Sequence, residues 1–197
     1  MDLSIYRKLV RDYDLGNIRS LGWSSRASQE KRFEVLTSLM SKEYTSVLDV
    51  GSGYGDFTNF IAPQRNNKIY VGIEPFYDFY KLACNTYGTK YFVNESLDGF
   101  VKQYSQLFDY VIASGLFWRN QDRWEEFFMK TIQTMFSICE IGVCANLLSS
   151  NHPKQKPWLI YVNPTKVVPK LKTITPNVKI VENYFENNRD FTFLLEK

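Results

Sequence analysis

Val47-Leu48-Asp49-Val50-Gly51-Ser52-Gly53-Tyr54-Gly55-Asp56-Phe57 carries an apolar run straight into three alternating glycines. Val47 to Val50 reads as a buried strand, and glycines directly after a strand predict a loop at its carboxyl end. Glycine has no Cβ and reaches φ > 0 without strain. Gly51, Gly53 and Gly55 therefore let backbone approach a ligand that any side chain would hold off. The spacing is G-x-G-x-G, whereas dinucleotide-binding loops place the third glycine one residue further on and seat a pyrophosphate on the following helix. A diphosphate is not the expected occupant.

Upstream of this loop, Leu3 to Val10 has the spacing of a short amphipathic helix, and Ser24-Ser25 precede a second helix in which Phe33, Leu36 and Met40 recur. Downstream, Phe57, Phe60 and Ile61 predict a short helix stopped by Pro63. Strands are expected over 69–73, 91–93, 108–113 and 141–148. Helices are expected between them on the faces of Phe76, Phe79 and Ala83, of Leu97, Phe100, Val101 and Tyr104, and of Trp124, Phe127, Phe128, Met135 and Phe136. Continuous apolar strands alternating with helices argue for a parallel sheet covered on both faces, a doubly wound α/β fold. Two further extended stretches, 178–185 and 191–195, flank the turn-forming run Glu186-Asn187-Asn188-Arg189-Asp190 and read as an antiparallel hairpin. The expected sheet is thus seven-stranded and mostly parallel.

Composition bounds the rest. A chain of 197 residues with 44% hydrophobic content fits one globular unit, and no apolar run approaches the roughly 20 residues that span a bilayer. The N-terminus lacks a long apolar stretch with a cleavage site, so no secretory signal is expected. Cys84, Cys139 and Cys144 have no metal-ligand spacing and read as thiols of a cytoplasmic protein, with no metal expected. The net charge of +3 is too small to argue for nucleic acid. Its distribution is uneven. Residues 151–180 hold five of the seven prolines and six lysines (Lys154, Lys156, Lys166, Lys170, Lys172 and Lys179) without one acidic residue, and support little regular structure.

The glycine loop, with Asp49 before it and Glu74 directly after the next strand, resembles the cofactor site of the class I S-adenosylmethionine-dependent methyltransferases, which have a Rossmann-like fold and a C-terminal hairpin. Shorter matches (Gly22-Trp23-Ser24-Ser25 with Gln29 and Arg32, Asn146 to Ser149, Asn163-Pro164, Asn183-Tyr184 and Asp190-Phe191-Thr192) resemble small bacterial and phage enzymes of that superfamily. The resemblance implies one methyltransferase unit over 1–197: N-terminal helices over 1–45, a cofactor-binding core over 46–150, the basic insert over 151–180 and the hairpin over 181–197. It implies S-adenosylmethionine as cofactor and S-adenosylhomocysteine as product. In open α/β sheets the ligand lies beyond the carboxyl ends of the strands. Amides of Gly51, Ser52, Gly53 and Gly55 are then expected beside the amino-acid part, and Asp49 orients the loop or meets the ammonium through water. Glu74 is expected to accept both ribose hydroxyls, and Glu95, with Ser96 beside it, the adenine amino group. Phe76 would flank the adenine face, and Ser114 would lie beneath the transferred methyl.

Methyl transfer from a sulfonium needs acceptor and methyl held in line, water excluded and a proton removed where the acceptor has one. His152, the only histidine, follows the fifth strand and is the candidate general base. Tyr54, Trp118, Trp158 and Tyr161 are candidates for the acceptor pocket. The tetrapeptide with which amino-methylating DNA enzymes grip a base is missing after Ala113, where Ser114-Gly115-Leu116-Phe117 stands, and no Pro-Cys pair exists for cytosine C5 chemistry. A small molecule methylated at O or N is favoured as acceptor, with the insert acting as a lid whose lysines attract an anionic substrate such as a carboxylate. The alternatives are an RNA or nucleotide enzyme, whose insert contacts phosphates and stacks bases on Trp158 and Tyr161, and a cofactor-binding module without turnover.

Overall fold

The computed structural model describes residues 3–62 and 68–197. The strands in chain order are β1 (Ser46–Val50), β2 (Ile69–Ile73), β3 (Phe92–Val93), β4 (Phe108–Ala113), β5 (Cys139–Leu148), β6 (Val178–Val181) and β7 (Asp190–Glu196). The helices among the described residues are α1 (Ser4–Tyr13), α2 (Arg26–Leu39), α3 (Thr58–Ile61), α4 (Tyr77–Tyr87), α5 (Leu97–Gln103), α6 (Trp124–Ser137) and α7 (Pro164–Leu171). The expected helix stop at Pro63 lies outside the described residues.

Every residue of β1 is buried, and β1 pairs in parallel with β2 on one side and β4 on the other. The sheet order is β3-β2-β1-β4-β5-β7-β6. Among the described strands only β7 runs against the rest, antiparallel to both β5 and β6. The terminal hairpin is thus not simply appended: its second strand inserts between β5 and β6 and is buried along its whole length.

Strand geometry sends neighbouring residues to opposite faces, and the two cores follow that alternation. Val47, Tyr70, Tyr110, Ile112 and Cys144 pack with Phe33 and Leu36 of α2 and Ala83 of α4. Leu48, Val111, Val143 and Leu195 pack on the other face with Phe100 of α5, Phe128 and Met135 of α6 and Val167 of α7. Both faces are covered, as the uninterrupted apolar strands require.

Side-chain caps fix where the helices begin. Ser25 accepts from the Ser28 amide at the start of α2, and Ser96 accepts from the Gly99 amide at the start of α5, both at 3.1 Å. Two expectations need correction. The insert over 151–180 contains regular structure, because Asn163 caps α7 with Pro164 at its first turn. The extended stretch expected over 178–185 ends at Val181, and Asn183, at φ 63°, turns the chain out of the sheet. Among the described residues no helix is long and apolar enough to cross a membrane.

Candidate functional site

The carboxyl ends of β1, β2 and β4 open into a cavity of about 230 Å³. Its floor is Asp49 to Gly53, and Glu74 stands on one side. Glu95 and Ser96 come from the loop before α5, and Ser114 and Gly115 from the loop after β4. Asp49, Gly51, Ser52, Gly53, Glu74, Glu95, Ser96 and Ser114 therefore share one cavity. Gly55, Phe76, Tyr54, Trp118, Trp158, Tyr161 and His152 do not line it.

The glycine loop works differently from the expectation. The amides of Gly51 and Ser52 both donate to Ile73 O, at 2.9 and 3.1 Å, and the Gly53 amide donates to Glu74 Oε2 at 2.9 Å. These N–H groups tie β1 to β2, so what the loop offers a ligand is bare Cα surface. Gly53 sits at φ +57°, and a Cβ there would come within 2.9 Å of Leu21. Gly55 is bare for packing instead, since a Cβ would lie 2.5 Å from the Phe92 ring.

Glu74 is 5% exposed, and its other oxygen accepts from the Phe76 amide at 2.7 Å. Burial pushes its pKa up to about 7 against the lowering effect of those two amides. Burial also lifts Asp49 to about 7, although Tyr70 donates its hydroxyl to Asp49 Oδ2 at 2.7 Å. Asp56 adds like-charge repulsion at Asp49. Glu95 accepts from the Ser96 amide at 3.1 Å and from Gln103 at 3.2 Å, which folds its carboxylate over the start of α5. Asn146, buried in β5, holds the loop after β4 by accepting from the Gly115 amide at 2.9 Å and donating to Ser114 Oγ at 3.0 Å.

The residues outside the cavity have other partners. Tyr54 is buried, and its hydroxyl accepts from the Gly16 amide at 2.9 Å and bonds Ser20 at 2.6 Å, which pins the N-terminal segment. Phe76 is buried against Phe79 and Tyr6. His152 lies beside Tyr161, with Nδ1 3.3 Å from Asn187 O, and Tyr161 accepts from the Lys156 amide. Trp158 is 60% exposed. Trp118 belongs to a smaller adjoining chamber.

Several walls of the cavity come from residues outside the expected cofactor set. Tyr6 reaches in from α1, and Trp23 packs on Gly115, where a Cβ would meet the indole at 2.4 Å. Gln29 is buried. Its Nε2 donates to Asp56 at 3.2 Å, while its Oε1 has no hydrogen-bond partner among the described residues. At the rim Lys130 of α6 pairs with Asp98 at 2.9 Å. Tyr6 had a signal in its place on an amphipathic face, and Trp23 and Gln29 had one in the short match from Gly22 to Arg32.

No family model matches the chain, and no curated protein sequence matches it. Solved structures do. The plantazolicin methyltransferase BpumL in complex with S-adenosylhomocysteine aligns over 98% of this chain and 93% of its own, with TM-score 0.68 and 14% identity. Magnesium protoporphyrin IX methyltransferase from Synechocystis PCC 6803, with bound S-adenosylmethionine, aligns over 98% and 97%, with TM-score 0.61 and 13% identity. A possible histamine N-methyltransferase from Thermotoga maritima aligns over 100% of both chains, with TM-score 0.66 and 10% identity. At such identities the likeness is one of fold.

Proposed function

We propose that this chain, which has the fold of the class I S-adenosylmethionine-dependent methyltransferases, binds S-adenosylmethionine beyond β1 and β2 and methylates a small molecule at O or N. When bound, the cofactor supplies a methyl group made electrophilic by its sulfonium, and S-adenosylhomocysteine remains. The residues present fit it. Gly51 and Gly53 leave the floor bare, and Glu74, with both oxygens already fixed by amides, keeps lone pairs for two ribose hydroxyls. Glu95 at the opposite wall is positioned for an exocyclic amino group. The unpartnered Oε1 of Gln29 and the Asp49 carboxylate are acceptors suited to an ammonium.

Among the charged groups of the described residues that line the cavity, Asp49, Glu74, Glu95 and Asp98 are acidic and Lys130 is basic, a balance that favours a cationic guest. The side chains position the acceptor and exclude water; His152 lies away from the cavity and has no part in this reading.

The observation that carries the proposal is the buried Glu74 carboxylate, held by Gly53 and Phe76 at the strand ends. Calorimetry with S-adenosylhomocysteine tests it. Glu74→Gln turns an amide NH₂ towards the Gly53 or Phe76 donor, and affinity is expected to fall by about 1–3 kcal/mol, the range for leaving a buried polar group unpaired. Unchanged affinity would remove Glu74 from the site.

One feature favours a second reading. Trp158 is exposed with the Lys156 ammonium 5.5 Å over its ring, a surface that can stack an RNA base beside a phosphate.

A further inference from the structure

The side-chain amide of Gln29 has one atom paired and one open, and the local geometry decides which is which. Arg26 and Gln29 lie one turn apart at the start of α2, a spacing that sets both on one helix face. Both reach Asp56. Gln29 Nε2 donates to Asp56 Oδ2 at 3.2 Å, and the Arg26 guanidinium lies 3.4 Å from Oδ1. Asp56 is itself held by the residue before it: the Gly55 amide donates to Ser52 O at 2.9 Å, and a Cβ on Gly55 would meet the Phe92 and Tyr87 rings at 2.5 and 3.2 Å. A carboxylate oxygen accepts, so Asp56 takes the NH₂ side of the amide and fixes the carbonyl side opposite. Gln29 lines the cavity and Asp56 does not, which directs Oε1 inward. This oxygen has no hydrogen-bond partner among the described residues, and Gln29 is 3% exposed. A buried acceptor in that state carries a desolvation cost that a guest's N–H would remove.

The neighbouring polar groups share that bias. Asp49, on the floor, is a second acceptor. The amides of Gly51 and Ser52 are taken by Ile73 O and that of Gly53 by Glu74, so these three floor amides are already engaged when an anion arrives. Lys130, a charged donor at the rim, is engaged by Asp98 at 2.9 Å. A primary ammonium brings donors and a positive charge to Gln29 Oε1 and the Asp49 carboxylate, and a carboxylate brings lone pairs to lone pairs.

We propose that Gln29, oriented by Asp56, makes the β1 end of the cavity an ammonium site, so that a nucleoside thioether or sulfonium is selected by the amino group of its side chain and not by its carboxylate. Gln29 makes the contact, and Asp56 is a positioning residue. The proposal rests on the cofactor reading for the nucleoside and goes beyond it in ranking the two charged groups of the amino-acid part.

Calorimetry with four probes tests it. S-adenosylhomocysteine carries both groups, its desamino analogue the carboxylate alone, its decarboxylated analogue the amine alone, and 5′-methylthioadenosine neither. The wild type should bind the decarboxylated analogue at least about tenfold more tightly than the desamino one, the lower end of what a hydrogen bond to a charged group contributes. Methionine is close to glutamine in size and its thioether is a weak acceptor, so Gln29→Met should bring that ratio below about threefold. Asp56→Asn offers Gln29 a donor as well as an acceptor, lets the amide turn, and should also lower the ratio. In the Gln29→Met background Asp56→Asn should lower it no further, as expected of residues that act through one contact. 5′-Methylthioadenosine ends short of this site and should bind both single variants within about twofold of the wild type, which a general loss of structure would not allow. A decarboxylated analogue no tighter than the desamino one, a preference that survives Gln29→Met, or an equal loss of 5′-methylthioadenosine in that variant overturns the proposal. If S-adenosylhomocysteine and 5′-methylthioadenosine bind the wild type and the amine preference is missing, this proposal alone falls. If neither binds, the cofactor reading falls and this one with it.

Discussion

A buried carboxylate keeps a proton that water would take, and Asp49 and Glu74 both do so, titrating at about 7 against ordinary values of 3.8 and 4.5. The folded chain therefore binds these protons more tightly than the unfolded chain. Their contribution to stability is complete below the ordinary values and is lost as pH climbs to about 7. Melts of the free protein are expected to show that decline, and Glu74→Gln to flatten its own share of it. Ligand affinity should run the other way, because an ionised Glu74 is the better acceptor for ribose hydroxyls. S-adenosylhomocysteine affinity should rise through about pH 7 in the wild type and lose most of that rise in Glu74→Gln, read by calorimetry across the range. The loop that presents these groups was legible in the sequence because strand, glycines and the next strand's carboxylate are all local signals. What each glycine does was not, because that depends on partners brought in by the fold. Gly55 shows the difference: Gly55→Ala drives a Cβ into Phe92 and should cost stability by about 1–3 kcal/mol in urea, while S-adenosylhomocysteine affinity of the folded protein changes by less than about twofold. A large affinity loss with unchanged stability would return Gly55 to the cofactor. Tyr54 and Phe76 were read as ligand-facing for the same reason, their neighbours Ser20 and Tyr6 being invisible along the chain.

Between elements, one buried contact joins the start of the fold to its end. Arg32 of α2 pairs with Asp190, the first residue of β7, and both side chains are almost fully buried. The guanidinium lies between the rings of Trp23, at 4.8 Å, and Phe185, at 4.7 Å, and donates to Ser28 O at 2.6 Å. Trp23 in turn packs on Gly115 at the cavity wall. Removing one partner leaves an uncompensated charge in a dry site, so Asp190→Ala should destabilise by about 3–5 kcal/mol in urea, and Arg32→Met with Asp190→Leu should recover much of that loss. Recovery absent from the double variant would show that the pair is not the source of the cost. The strand Ile69–Ile73 was readable to the residue, since an apolar run between Lys68 and Glu74 has sharp edges, and the end of Phe108–Ala113 was marked by Ser114. Helix α7 was not, because Pro169 inside it argues against a helix more loudly than Asn163-Pro164 argues for one. The place of β7 between β5 and β6 is a matter of pairing between distant segments, which no local pattern encodes.

Across the whole molecule, the basic charge of residues 151–180 is dispersed before it reaches the cavity. Lys170 pairs with Glu125 at 2.5 Å and Lys179 with Glu196 at 2.7 Å. Lys166 and Lys172 sit at opposite ends of α7, and Lys154 and Lys156 lie on the exposed loop before it. None of the six lines the cavity, whose own charges are mostly carboxylates. A polyanion thus meets a few scattered cations and an acidic mouth, a poor arrangement for threading RNA towards a methyl donor. Each phosphate neutralised adds about −0.7 to the slope of log affinity against log salt for a single strand. Lys154 and Lys156 are the insert lysines exposed on the loop that carries Trp158, so anisotropy with a labelled single-stranded RNA should give weak binding and a slope shallower than about −3 between roughly 50 and 200 mM salt. Over the same range S-adenosylhomocysteine affinity should change by less than about threefold, because its contacts are buried and screened little. Tight RNA binding with a slope steeper than about −5 would mean that the exposed Trp158 and its neighbouring lysines form a continuous track, and the acceptor would then be sought among nucleic acids.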